Sequence, residues 1–404
     1  MEHLRKYFPK LLLVVLSVGV LWKGILPGFN QINWDFPNYY IAAQLFSEGH
    51  DVALFYDNDW FLEQADKYDG IYAKFTPFPP STVFIMYPLS GFSMLLAKQI
   101  WTVLNACVLI GLIAIIRKIT LWSWINATLI VVLSGFSLIN NFYLGQFYLI
   151  LTFLLFLGYY WDQHGKSLLS GSMFALGILF KYLPVVYLPI YLLKNRSTFF
   201  LALGTLLVMM GVVIGVVGWN ATITFIDQVF LAHLQGEIAG QESQSIAFQS
   251  WGALFKNLFE LEKAKILTYV VTGGVLVIYL LMIERLWKVK AHYNYLLAFT
   301  GCTFMLLLPA SASYHFLLLI FPIVVLLAQL QSDRLDPPIK VILILYIAIG
   351  WFNIGYTRIL WDSDHFLAIL GSFPRLWLMF GLWMYVFYVL KRNVLDAYKV
   401  KISQ

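Results

Sequence analysis

The chain has 404 residues, of which 60% are hydrophobic and only 12% are charged. A soluble domain carries about 25% charged residues, so this composition excludes a soluble globular enzyme. The formal net charge of +6 does not indicate nucleic-acid binding, because the charges are spread between apolar stretches instead of forming a basic patch. The sequence therefore predicts an all-α polytopic membrane protein with membrane lipid, and no nucleic acid, around it.

Apolar stretches of the length that crosses a bilayer, about 20 residues, recur along the chain. The first follows Lys10 and is interrupted by Lys23, and since no cleavage-site pattern follows it, we interpret it as a retained span. Some stretches are short, so a neighbouring pair can be one broken helix. We expect one integral membrane domain over residues 1–404 with about twelve spans, at roughly 10–29, 93–116, 122–138, 146–161, 168–181, 183–193, 198–218, 266–283, 294–309, 313–330, 340–355 and 366–390.

Lysine and arginine in the short loops set the expected topology. If the N-terminus is cytoplasmic, these basic residues fall in cytoplasmic loops, as the positive-inside rule requires, with Arg358 as the exception. The protein is then predicted to lie in the plasma (inner) membrane with both termini in the cytoplasm. Two long loops, at about 30–91 and 219–265, are expected on the extracytoplasmic side. Within the first, Tyr39–Phe46 has the pattern of an amphipathic helix lying along the membrane surface.

Asp35 is the only charge in the run Asn33-Trp34-Asp35-Phe36-Pro37-Asn38-Tyr39-Tyr40, directly after the first span. A carboxylate at this boundary can act as a general base on an acceptor hydroxyl. It can equally cap the helix that follows. The sequence leaves both roles open.

Two cationic residues are expected at the same membrane face. Lys181 ends a predicted span, where its ammonium can meet a phosphate or extend to the interface. His315, in the run Pro309–His315, can bind a phosphate or be a satisfied core residue.

A short polar segment, Asn140–Gln146, joins two predicted spans on the outer side. The side chains of Asn141 and Gln146 can bind sugar hydroxyls, and Gly145 permits a tight turn there. Turn chemistry alone also explains such a segment. Asp57-Asn58-Asp59 is only a weak metal-binding pattern, and no P-loop, dinucleotide fingerprint or zinc motif is present in the sequence. We therefore expect no metal and no cofactor.

Several of these residues, in this order and spacing, carry a family resemblance. The pieces are Asp35–Tyr40 with Ala42, Ala43, Leu45 and Gly49; Phe78-Pro79-Pro80 with Tyr87-Pro88-Leu89; Trp101 and Asn105; Gly145-Gln146; Lys181 with Pro184; and His315. The chain resembles glycosyltransferase family 87, the polytopic GT-C enzymes that include polyprenyl-phosphate-mannose-dependent α-mannosyltransferases. Phe78 departs from the tyrosine usual before the Pro-Pro pair.

The resemblance implies a GT-C fold and a lipid-phosphate sugar donor used on the extracytoplasmic side, with Asp35 as the catalytic base. We accordingly predict inverting transfer of a hexose, mannose foremost, from a polyprenyl-phosphate donor to a lipid or glycan acceptor. Lys181 and His315 are expected to bind the donor phosphate. Gln146, Asn141, Tyr39 and Tyr40 are expected to bind sugar or acceptor.

Two other functions are compatible with the sequence. A transporter or lipid flippase needs polar residues at mid-membrane, often in paired halves, and Lys98 and Arg375 are the residues that favour it. A non-catalytic membrane scaffold is the other, in which substitution of Asp35 alters stability but no reaction.

Overall fold

The computed structural model describes residues 2–32, 35–68, 70–234, 245–289, 292–332, 337–353, 355 and 365–396. Within these ranges every regular element is helical, which confirms the predicted all-α class. Asn33, Trp34 and Arg358 lie outside the described residues. Backbone contacts group the chain into two compact units, Met1–Ile115 with Leu138–Glu242 and Ile116–Ser137 with Ser243–Gln404. The single domain expected over 1–404 stays a prediction.

Most α-helices of the N-terminal half belong to the first unit, whereas the helix Trp124–Val132 lies in the segment Ile116–Ser137 of the second. In chain order they are α1 (Glu2–Val20), α2 (Leu26–Asn30), α3 (Phe36–Ser47), α4 (Asn58–Asp66), α5 (Val83–Met86), α6 (Met94–Thr120), α7 (Trp124–Val132), α8 (Phe136–Leu144), α9 (Tyr148–Gln163), α10 (Ser167–Phe180), α11 (Leu188–Lys194), α12 (Arg196–Val217), α13 (Trp219–Phe225) and α14 (Leu231–Leu234). Short 3₁₀ helices at Val52–Tyr56, Pro80–Thr82, Tyr87–Leu89 and Leu183–Tyr187 join some of them.

The remaining α-helices belong to the second unit. They are α15 (Trp251–Leu258), α16 (Leu261–Lys288), α17 (Tyr293–Leu307), α18 (Ile320–Ser332), α19 (Pro337–Trp351), α20 (Phe366–Gly371) and α21 (Pro374–Val389). A 3₁₀ helix, Ser313–Leu319, leads into α18. Pi-helical turns occur at Leu21–Ile25, Ile226–Phe230 and Leu390–Asp396.

Five continuous helices in the described ranges are long and apolar enough to cross a membrane, which makes this an integral membrane protein. They are Tyr7–Asn30, Met94–Thr120, Arg196–Val217, Leu261–Lys288 and Ser313–Ser332. The pair α7 and α8, bent by 72°, brings the number to six if it counts as one span. Several other predicted spans correspond to shorter apolar helices, so the count of about twelve and the GT-C fold stay predictions.

The break in the helix comes earlier in the chain than predicted, between α7 and α8, and not at Asn140. Gly135 lies at the break with φ +58°, and a Cβ there would approach the Gly350 carbonyl oxygen to 2.8 Å. Helix then resumes at Phe136 and runs to Leu144. Asn141 is therefore helical, and the break that was expected over Asn140–Gln146 is confined to the end of that segment. Hydropathy could not predict this, because buried asparagines resemble loop residues.

Helix α3 confirms the predicted helix near Tyr39–Phe46 but not its position on a membrane surface. Phe36, Tyr39, Ile41, Ala42 and Ala43 are all fully buried. These residues cover more than one face of the helix, so α3 is packed within the first unit, and Phe46 is the apolar residue of the predicted stretch that stays partly exposed. It is this burial that places Asp35, at its N-terminal end, next to the core.

A buried ion pair connects α9, α11 and α12. Asp162 accepts hydrogen bonds from Lys194 Nζ at 2.6 Å, Asn195 Nδ2 at 2.8 Å and Thr198 Oγ1 at 3.1 Å. Its side chain is only 2% exposed. With both carboxylate oxygens bonded, this charge is tolerated in the interior and fixes the tight connection between α11 and α12.

Candidate functional site

Asp35 lies at the N-cap position of α3, yet its carboxylate does not cap the helix. Pro37, in the first turn, has no amide hydrogen to satisfy, which reduces the need for a cap. Instead Oδ2 accepts a hydrogen bond of 2.7 Å from Nε2 of Gln146. Oδ1 accepts no hydrogen bond from the part of the chain that the structure describes. The geometry therefore disagrees with the capping alternative.

Gln146 is held rigidly between two partners. It follows Gly145, whose φ of +72° makes the turn after α8, and it is 1% exposed. Its Oε1 accepts a 2.6 Å hydrogen bond from the hydroxyl of Tyr39. Because the tyrosine hydroxyl donates to the amide oxygen, the amide nitrogen is the atom turned toward Asp35.

The surroundings of Asp35 act on the pKa of its carboxyl in opposite directions. Burial raises the pKa of this carboxyl above its ordinary value of 3.8, while the hydrogen bond from Gln146 and the charges of Lys181 and Lys98 act in the lowering direction. Desolvation is the largest of these effects. A carboxylate with a raised pKa is a stronger base than an exposed one.

Lys181 lies in extended backbone between α10 and the 3₁₀ helix Leu183–Tyr187. Its Nζ is 4.5 Å from the ring centroid of Phe78, 5.2 Å from that of Tyr148 and 5.3 Å from that of Phe147. Ring faces attract a cation over such distances. The ammonium forms no hydrogen bond or ion pair with any residue in the described ranges, so its three donors are available to an anion.

The same aromatic rings connect Lys181 to the Asp35 group. The ring of Tyr39 packs 4.7 Å from Phe78 and 5.5 Å from Phe147, centroid to centroid. Asp35, Gln146, Tyr39 and Lys181 are therefore brought together by α3, the turn after α8 and the end of α10. These elements are far apart in sequence, and all lie in the first unit.

An apolar cavity of about 170 Å³ lies beside the residues that flank Lys181. Leu179 and Tyr182, on either side of Lys181, contribute to its wall, as do Pro79 and Pro80, which follow Phe78. The opposite wall comes from α12 and α13, with Met210 and Phe225 among its residues. Its lining is almost entirely hydrocarbon, so it suits an apolar chain and not a sugar.

Asn141 and Tyr40 have their polar groups bonded within the protein. Asn141 is fully buried; its Oδ1 accepts from the Leu149 amide at 3.1 Å and its Nδ2 donates to Oδ1 of Asn105 at 3.2 Å. The Tyr40 hydroxyl donates to the Phe92 carbonyl at 2.6 Å. Their expected contacts with sugar or acceptor stay predictions, as do those of Tyr39 and Gln146.

His315 belongs to the second unit. It lies in the 3₁₀ helix Ser313–Leu319, where its Nδ1 accepts a hydrogen bond of 2.8 Å from the Ala312 amide. This bond fixes Nε2 as the nitrogen that carries the proton in the neutral ring. Its predicted role in binding phosphate stays a prediction.

Lys98, which supported only the transport alternative, adjoins this group of residues in the structure. It projects from α6 and is fully buried, and its Nζ donates to the carbonyls of Phe142 and Tyr143, both at 3.2 Å. A lysine within an apolar helix was the available signal, since such a charge is costly and usually functional. Only the fold shows that it adjoins the Gln146 turn.

No group of three or more His, Cys, Asp or Glu side chains in the described ranges is arranged to hold a metal ion. The expectation of a reaction without metal or cofactor stays a prediction.

Comparison with known proteins identifies one family. A family model described as glycosyltransferase family 87 matches residues 75–309, which is more than half of the chain. The matched range includes Lys98, Gln146 and Lys181, whereas Asp35 precedes it and His315 follows it. No curated protein matches the chain.

Proposed function

Because the chain belongs to glycosyltransferase family 87, we propose that it transfers a hexose, mannose foremost, from a polyprenyl-phosphate donor to an acceptor hydroxyl. The reaction takes place at the extracytoplasmic face of the plasma (inner) membrane, with both termini in the cytoplasm. The observation that carries the proposal is the proximity of a half-buried carboxylate, Asp35, hydrogen-bonded to Gln146, to Lys181, whose side-chain nitrogen forms no hydrogen bond or ion pair with any residue that the structure describes. Acid–base chemistry and anion binding are thus available in one place.

In the proposed reaction Asp35 is the general base. Oδ1 takes the proton of the acceptor hydroxyl while that oxygen attacks the anomeric carbon of the sugar. The bond from the anomeric carbon to the phosphate oxygen breaks, and its electron pair leaves with the lipid phosphate. Attack opposite the leaving group inverts the anomeric centre. Gln146 and Tyr39 hold the base in position through the bonds they share.

Lys181 neutralises the charge that develops on the departing phosphate, which is where a fixed cation is most effective. The apolar cavity beside it accommodates the first part of the polyprenyl chain. A donor of this kind needs no nucleotide site, in agreement with the missing nucleotide motifs. His315 is proposed as a further phosphate contact, supported by its fixed Nε2–H.

The acceptor is proposed to be a lipid or glycan, bound beside Oδ1 of Asp35, which accepts no hydrogen bond from the described residues. Tyr40 and Asn141 support this region mainly by holding α3 and the turn after α8. A GT-C arrangement within one membrane domain is the fold proposed for the whole chain.

Transport has no specific observation in its favour. The two residues that favoured it, Lys98 and Arg375, both donate to main-chain carbonyls: those of Phe142 and Tyr143 for the lysine, and those of Ile349 and Phe352 for the arginine. Such bonds stabilise helix ends and do not require a transported ion.

The experiment is transfer of labelled hexose from synthetic polyprenyl-phosphate sugars to membrane lipid and glycan acceptors by the purified protein in lipid nanodiscs. Asp35→Asn removes the base and keeps the size of the side chain. We expect its turnover to fall about 10²–10⁴-fold. The matched control is Asp57→Asn, because Asp57 caps α4 through the amides of Asp59 and Trp60 and asparagine caps equally well.

Near-normal turnover in folded Asp35→Asn protein rejects the assignment of the base. Absence of transfer by the wild-type protein from every polyprenyl-phosphate hexose, together with transfer from a nucleotide sugar, rejects the donor class.

A further inference from the structure

A second lysine, Lys98, is bonded to the turn that carries Gln146. Its ammonium donates to two successive carbonyls, Phe142 O and Tyr143 O, in the last turn of α8. The Phe142 carbonyl also accepts from the Gly145 amide at 3.2 Å, and the negative end of the helix dipole favours a cation at this end of α8. Three residues along α6, Nε1 of Trp101 donates to the Gly145 carbonyl at 2.8 Å. One face of α6 therefore fixes the whole turn.

The turn leaves no space between its backbone and the lysine. A Cβ built on Gly145 would lie 2.6 Å from Lys98 Nζ and 3.0 Å from Cβ of Phe36. Phe36 is the residue after Asp35, and its ring centroid is 5.2 Å from the same Nζ. Glycine is thus required at position 145 both for its φ of +72° and for the close approach of the ammonium. Lys98, Gly145 and Phe36 therefore pack against one another, and Phe36 follows Asp35 directly in the chain.

We propose that Lys98 is a positioning residue for the Asp35 carboxylate: it fixes the turn that carries Gln146 and supplies a buried positive charge that favours the charged form of Asp35. It forms no ion pair with a carboxylate in the described ranges, so its charge acts on Asp35 through space. Among the described residues, Gln146 bonds Asp35, and Lys181 and Lys98 act through their charges; all three act on the pKa of Asp35 in the lowering direction. The consequence for catalysis rests on the proposed function, whereas the electrostatic effect does not.

The electrostatic effect is measured without any substrate. Infrared difference spectra of the nanodisc protein are recorded over a pH series, and subtraction of the Asp35→Asn spectra isolates the protonated carboxyl band of Asp35. Lys98→Gln keeps an N–H donor near the carbonyls and removes the charge. We expect the midpoint of the Asp35 protonation curve to rise measurably, since a nearby opposite charge lowers a carboxyl pKa. Lys98→Arg keeps the charge and should restore a midpoint close to the wild type.

The matched control is Lys118→Met, an exposed lysine at the far end of the same helix, for which no change is expected. Lys98→Met and Gly145→Ala are alternative variants if Lys98→Gln does not fold; the first removes the charge, and the second displaces the ammonium without removing it. An unchanged Asp35 midpoint in a folded variant without the charge overturns the proposal.

Transfer kinetics then separate positioning from substrate contact. Loss of the charge should move the pH profile of kcat by the same amount as the infrared midpoint, with KM for the donor unchanged. A rise in KM with an unshifted profile would make Lys98 a substrate contact and overturn the positioning role. If the wild type transfers no hexose, the proposed function fails while the infrared result still decides the electrostatic role.

Discussion

The amide nitrogen of Gln146 donates to Oδ2 of Asp35 at 2.7 Å across 111 residues of sequence. This bond holds a carboxylate in a site where burial already raises its pKa above 3.8. A base must be deprotonated, so the transfer rate should fall as the pH drops through this raised pKa. We expect the acidic limb of the kcat profile at a higher pH than an ordinary aspartate gives, about 3.9. A rate that is constant down to about pH 4 would contradict it.

The same raised pKa predicts that stability and activity depend on pH in opposite directions. Deprotonation of Asp35 activates the base but destabilises the fold. Between 3.8 and the folded-state pKa of Asp35, the folded protein binds more protons than the unfolded chain, so the free energy of unfolding falls as the pH rises. Above both values this destabilisation is complete. Asp35→Asn, which resembles the neutral acid, should therefore have a higher thermal midpoint than the wild type at pH 7, and the difference should shrink on acidification. A lower midpoint at pH 7 would show that the carboxylate stabilises the fold.

A second carboxylate beside Asp35 should disable the base without removing it. Gln146→Glu replaces the donating amide at 2.7 Å with a like charge, which raises a carboxyl pKa further. We expect a lower rate at pH 7 and a pH profile displaced upward, measured by labelled-sugar transfer. The control is Gln64→Glu, where the amide bonds Lys67 at 2.6 Å and the new charge is compensated. Equal profiles for the two variants would exclude the Gln146 contact from catalysis.

The sequence singled out individual polar residues of this site but not their arrangement. Asp35, Gln146 and Lys181 were identifiable because polar residues beside apolar spans are costly and therefore informative. Their convergence was not identifiable, since α3, the turn at Gly145 and the end of α10 meet only through tertiary packing. Tyr39–Phe46 was recognised as helical, but the burial of most of its faces was not predicted, because periodicity records the helix and not what covers its faces. Lys98 supported only the transport alternative, because nothing in the sequence shows which backbone carbonyls a lysine will reach.

Lys181 offers a test that separates donor binding from acid–base chemistry. Lys181→Met keeps an unbranched apolar stem among Phe78, Phe147 and Tyr148 and removes the charge. We expect KM for the polyprenyl-phosphate donor to rise about tenfold or more, because a charge-assisted bond to phosphate contributes about 1.5–3 kcal/mol. The control is Lys74→Met, which also has its ammonium over a ring, at 5.4 Å from Tyr72. Unchanged KM and kcat in Lys181→Met would remove this lysine from the donor site.

The ion pair of Asp162 and Lys194 should determine the stability of the first unit without affecting the transfer reaction itself. Asp162→Ala leaves Lys194, whose side chain is 17% exposed, without its carboxylate, and it also removes the acceptor of Asn195 and Thr198. Breaking a buried pair in this way costs about 3–5 kcal/mol, so we expect a clearly lower thermal midpoint in nanodiscs. Glu284→Ala is the control, because the Glu284–Lys288 pair lies on an exposed helix face and exposed pairs contribute little. If the two variants lose equal stability, the bonds to Asp162 do not hold α9, α11 and α12 together.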